Sequence, residues 1–259
     1  VTSAHHLVSA KLKRAGEHLD ALEASIADYL DSNALRAMPG ADNATQESII
    51  RVQVVREPPV VDWAVQIGDV LHNLRSCLDH LAWHLGGNPP PNEANSEFPI
   101  FLKRREFRRQ GLSKIEGVPC HPAAIIEDLQ PFQRGQEAHL DPLWLLHELS
   151  NYDKHRLLHT SVAALRGASY FVSAPAGSRT EDPLVTRGPV EHGMVIARWP
   201  LDPEAGVATP DVGRPFQLHF EIAFDADGPG NGQPVGEQLR RVYGYVGRIV
   251  LPRLAPFLF

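Results

Sequence analysis

The chain has 259 residues, 43% of them hydrophobic, and a formal charge of −6 at neutral pH. That length and apolar content suit one large core, the acidic balance argues against wrapping nucleic acid over the whole surface, and no run approaches the roughly 18 consecutive apolar residues of a membrane-spanning helix. The first residues, VTSAHHLVSAKLKRAG, lack the basic-then-apolar order of a secretory signal, so a cytoplasmic location without a membrane partner is expected, with Cys77 and Cys120 both reduced.

From about Ala4 to Leu30, apolar residues recur at helical spacing (Leu7, Leu12, Leu19, Leu22, Ile26, Leu30), which predicts an amphipathic helix ending near Pro39-Gly40. The β-branched stretch from Ser48 to Glu57 predicts a strand with Ile50, Val52 and Val54 on one face, stopped by Pro58-Pro59. Asp62 to Leu85 predicts a second long helix, closed by Gly86-Gly87. Lys103 to Gln110 is a short basic stretch, and Pro122 to Leu129 a short helical one. Asp141-Pro142 has the form of an N-cap followed by Pro at the first helical position, opening a helix expected to reach about Leu165.

After Gly167 the alternation of ASYFVSA, HGMVIARW and RPFQLHFEIAF predicts antiparallel strands, and Val235 to Leu254 a final helix that Pro252 must kink or terminate. Together these elements predict an α+β fold in a single domain over 1–259. A mainly helical core of long antiparallel helices carries a small antiparallel β-sheet and a C-terminal helix. Residues 1–165 are mostly helical with one strand near 48–57, and 166–259 are β-rich with the closing helix.

Projected at 100° per residue, the second helix places Val70, Leu74, Cys77, Leu78, Leu81 and Leu85 on one side and Asp69, His72, Asn73, Ser76, His80 and His84 on the other. Arg75 and Asp79, four apart, form a ready ion pair at one edge. The later helix carries a stripe of Glu148, Asn151, His155 and His159 beside Tyr152, with apolar residues including Trp144 around most of its circumference. A solvated face is usually built from Lys and Glu. Histidines, amides and hydroxyls on two otherwise apolar helices predict that the helices pack together around a polar pocket, since such groups need partners when buried. Each histidine taken singly reads first as a structural hydrogen-bonding group, the usual role of a helical histidine.

RSCLDH, Arg75 to His80, resembles the Arg-x4-His motif of the HEPN ribonucleases, although Ser76 stands where Asn, Asp or His is common. The same spacing at Arg134/His139 and Arg187/His192 falls in loops. The resemblance implies a homodimer in which Arg75 and His80 converge across a two-fold axis on an RNA phosphate without metal. His80 would transfer the proton, Arg75 stabilise the developing charge and Asp79 orient Arg75. A broader resemblance rests on LHNLRSCLDHLAW, FPIF, a Gln-Pro and PLWLLHELSNYDKHRLL. These are similar to a family of bacterial proteins without an assigned activity, which implies a linked site including Asp153, Lys154, His155 and Arg156.

Two other classes fit the same residues. The i,i+4 pairs His80/His84 and His155/His159 could share a divalent metal, although carboxylates are few. A non-catalytic module could use the arginines and histidines to hold a small anionic ligand or a protein. Lys103, Arg104, Arg105, Arg108 and Arg109 form the one basic cluster, either a solvated helix face or a contact for RNA.

Overall fold

A computed structural model describes residues 4–155, 160–169, 184–185, 190–200 and 217–258. The fold is α+β, with a helical core and antiparallel strands. Helix α1 spans Ala4–Asp31 and α2 spans Val60–Gly86. They run antiparallel, because Ser25 of α1 accepts from Trp63 Nε1 at 3.0 Å while Val8 lies beside Cys77 at the other end. Trp63 is fully buried, which its ring-edge contact with Tyr29 and its satisfied N–H permit.

Two further helices complete the bundle. Helix α5, Pro142–His155, packs on α2, and the C-terminal helix α6, which begins with Val235–Tyr245, packs on both α1 and α5. Arg240 reaches Glu23 at 2.6 Å and Gly247 lies against Leu12, so α6 runs antiparallel to α1. The four helices alternate in direction around one core that includes Leu19, Leu22, Leu74, Leu78, Leu146, Leu149, Leu239 and Val242. Two shorter helices lie between α2 and α5. Helix α3 is built from Arg104–Glu106, a π turn at Phe107–Gly111 and Leu112–Lys114, and α4 is Cys120–Asp128.

The start of α5 follows its sequence signal. Asp141 Oδ1 accepts from the Leu143 N–H at 2.8 Å, with Pro142 between them where a helix N–H has no partner to lose. Pro252 does not end α6. The helix continues through a π turn at Val246–Val250 and Leu251–Leu254, and the Leu251 N–H bonds back five residues to Val246. That wider turn immediately precedes Pro252, where an α turn would press the ring on a carbonyl.

Three expectations are corrected. The first helix stops at Asp31, and Leu35–Asp42 forms strand β1, paired with β2 at Glu47–Val54 in the register Leu35↔Val54 to Asp42↔Glu47. Pro39 is tolerated because β1 is an edge strand. The α5 helix, described as Pro142–His155, does not reach Leu165, because Thr160–Ser169 becomes β3 and pairs with β6, Gln217–Phe224. Pairing with a distant strand overrides the local helical preference of Ala163, Ala164 and Leu165. The strands also form two sheets: β1-β2-β5-β4, in which β4 is Leu184–Val185 and β5 is Val195–Pro200, and the β3-β6 pair. Ile50 and Val52 face inward as expected, against Ile196 and Ala197 in a small core of their own. The predicted strand at 168–174 lies outside the described residues beyond Ser169.

Candidate functional site

The polar edge of α2 is first a clamp on a neighbouring segment. Arg75 donates to the Phe98 carbonyl at 2.8 Å, and Asp79 Oδ1 accepts from the Phe98 N–H at 2.9 Å, so the two residues grip both backbone groups of one residue. Arg75 also contacts Asp79 at 3.0 Å and Glu97 at 3.3 Å, and its side chain is only 14% exposed. From the opposite side, Gln130, 1% exposed, donates to the Pro99 carbonyl at 2.8 Å and accepts from the Phe101 N–H at 3.1 Å. A non-regular segment can be buried only if its backbone groups are bonded, and these three side chains bond them. The sequence motifs RSCLDH, FPIF and Gln-Pro therefore meet in one structural unit.

The clamped segment forms part of a cleft of about 330 Å³. Arg75, Glu97, Phe98, Ile100, Phe101, Leu102, Glu106, Gln110, Lys114, Trp144 and His147 line it, so α2, α3 and α5 all contribute. Lys114 of α3 pairs with Glu97. Burial pushes the Glu97 carboxyl up, but the Lys114 hydrogen bond and the charges of Arg75, Lys114 and Lys154 outweigh it and hold the group below its ordinary range.

His147 is the imidazole of the cleft. Its pKa falls to about 4, first through burial and then through Arg75, with Lys154 and Lys114 adding to the effect and Glu97 opposing it. The ring is neutral at physiological pH. It stacks on Trp144 at 5.1 Å between centroids and meets the Asn151 amide at 2.9 Å.

The other expected site residues are distributed more widely. His72, Glu148, Asn151 and Lys154 are exposed, and Ser76, His80 and His84 are half-buried. Asn73 is buried but donates to the Asp69 carbonyl of its own helix at 2.9 Å, so it needs no partner from α5. His80 and His84 stack on each other at 6.4 Å, and burial, followed by the charge of His80, lowers the His84 pKa. Neither lines the cleft. Asp153 turns onto α2, its carboxylate so close to Gly68 that a Cβ there would meet Oδ2 at 2.9 Å. Burial, followed by Asp69, raises the Asp153 pKa. His155 is the last described residue of α5, and Arg156 and His159 lie outside the described residues.

Lys103, Arg104, Arg105, Arg108 and Arg109 are all exposed along α3 and the residue before it. Among the described residues no three His, Cys, Asp or Glu side chains converge as metal ligands, and no helix is long and apolar enough to cross a membrane. Both cysteines are free, and burial pushes the Cys77 thiol up to about 12. It is therefore a packed side chain and no nucleophile at neutral pH.

Sequence reasoning missed Glu97, Lys114, Trp144, His147 and the structural role of Gln130. His147 carried a usable signal: it precedes Asn151 by one helical turn and shares its face. No protein family, curated protein or solved structure matches the chain.

Proposed function

We propose that the protein binds a small ligand with an apolar body and an anionic head group in the cleft lined by α2, the 97–102 segment, α3 and α5. The observation that carries this is the lining itself. Ile100, Phe101, Leu102 and Trp144 supply apolar surface, while Arg75, Lys114 and a neutral His147 supply polar groups. A volume of about 330 Å³ belongs to the small-ligand range. A carboxylate or phosphate would compete with Glu97 for Lys114, and the cations beside the buried His147 would favour an entering negative charge. Arg75 serves mainly to fix the cleft wall, since its charge is shared between two carboxylates and a carbonyl.

The test is calorimetric titration with a panel of small aromatic carboxylates and phosphates. Saturable binding, weakened at least tenfold in Lys114→Met and His147→Ala, is expected. Failure of every compound to bind at millimolar concentration would sink the proposal. The competing HEPN-like proposal, a homodimeric metal-independent ribonuclease using Arg75, Asp79 and His80, is tested by incubating the protein with mixed RNA in EDTA. Cleavage abolished by His80→Ala, a residue outside the cleft, together with a dimer by light scattering, would replace the binding module with that enzyme. Stoichiometric zinc, iron or manganese in the purified protein would favour the metal-dependent alternative instead.

A further inference from the structure

Resting on the anion-binding reading of the cleft, we infer that its occupant is one nucleotide of a single-stranded nucleic acid whose phosphodiester chain leaves the cleft across α3. The first observation is contiguity. Glu106 and Gln110 line the cleft, and the same short helix, with the residue before it, presents five exposed cations between Lys103 and Arg109. A site for an isolated small anion would have no use for them outside the cavity.

The second observation is which cations are committed. Lys103 pairs with Glu106 at 3.4 Å, and Arg104 is held by Glu127 at 2.9 Å, by Gln133 at 3.0 Å and over the Phe132 ring. Arg105 and Arg108 pair with no carboxylate among the described residues. With the Gln110 amide turned so that its oxygen accepts, Arg109 donates to it at 2.7 Å, which places that guanidinium at the cleft margin. Arg105 precedes Arg109 by four residues on α3, so the two cations lie on the same side of that helix.

The third observation concerns the interior. Trp144 and His147 offer stacked planar rings at an interplanar angle of 29°, and the partly buried Phe101 adds aromatic surface. A nucleobase stacks on such rings whatever its identity, and cations beside the stack follow its phosphates. An acidic peptide would satisfy Arg105 and Arg109 but carries no planar base for Trp144. The net charge of −6 repels a polyanion elsewhere, which leaves this basic helix as the landing place.

The experiment measures fluorescence anisotropy of labelled 12-nucleotide single-stranded RNA and DNA with the full chain, beside calorimetry with nucleoside monophosphates. In Arg105→Glu/Arg109→Glu, oligonucleotide affinity is expected to fall more than tenfold, and the slope of log K against log salt to shrink by about 1.4, roughly 0.7 for each single-strand phosphate no longer neutralised. Monophosphate affinity should fall by a clearly smaller factor than oligonucleotide affinity. RNA and DNA binding alike, or RNA preferred, both support the inference, the second adding a contact to the 2′-hydroxyl. Three outcomes overturn it alone while the cleft reading stands: oligonucleotides binding no tighter than monophosphates, double charge reversal leaving affinity and slope unchanged, or polyglutamate binding as tightly as the oligonucleotides. If no monophosphate or other small anion binds, both readings fall together.

Discussion

Arg75 on α2 and Arg105 on α3 belong to helices that line one cleft, yet their surroundings are opposite. Arg75 is nearly buried, with two carboxylates and the Phe98 carbonyl as acceptors, whereas Arg105 is exposed and pairs with no carboxylate among the described residues. The Arg75 Nε and Nη2 donors are used inside the protein, while its buried Nη1 has no hydrogen-bond partner among the described residues, so most of this guanidinium holds structure in place. One whose donors face water keeps its charge for a partner. Residue type and local motif do not separate these two cases.

The sharpest way to break the comparison is Arg75→Ala. It removes the ion-pair partner of Asp79, which keeps only the Phe98 N–H, and the side-chain donor to the Phe98 carbonyl, in a largely buried setting, so stability should fall by about 3–5 kcal/mol, read from denaturant unfolding midpoints. A loss under about 1 kcal/mol would mean that the clamp is not structural. Gln130→Ala strips partners from the Pro99 carbonyl and the Phe101 N–H and should cost about 2–3 kcal/mol by the same measurement, since buried backbone groups left unpaired lose their full desolvation energy.

Titration sharpens it next. His147 has a folded pKa of about 4, below its ordinary value near 6.5, so the unfolded chain binds more protons within that window. Its contribution to stability is fully present above about pH 6.5 and is lost as pH falls towards 4. His147→Gln should flatten the decline in melting temperature over that interval; an unchanged slope would show that His147 is not what titrates. Asp153 has the opposite sign, because burial and then the neighbouring Asp69 carboxylate disfavour its ionised form and raise its folded pKa. Asp153→Asn should raise the melting temperature at pH 7, with the gain shrinking as the solution is acidified. The smallest effect is expected at Arg105→Ala, within about 0.5 kcal/mol in stability, as for exposed charges that pair with no carboxylate among the described residues.

Much of the helical framework was legible along the chain. The apolar spacing of α1 and α2, the Asp141-Pro142 start of α5 and the inward Ile50 and Val52 all depend on period or on a local hydrogen bond, and the sequence carries both. Tertiary structure alone decided that α5 does not reach Leu165, because the strand at Thr160–Ser169 gains its hydrogen bonds from residues 48 to 64 positions away. It also decided the meaning of the polar motif. Arg75 and Asp79 were visible as a pair four residues apart, but that they close on the backbone of Phe98 depends on how the chain returns after Gly86. His147 looked like one more polar residue on a mostly apolar helix, and its neutrality arises from burial beside Arg75, Lys154 and Lys114, which three different elements bring together. Periodicity follows from backbone geometry within one segment, whereas desolvation and the pairing of charges depend on distances that only the folded chain sets.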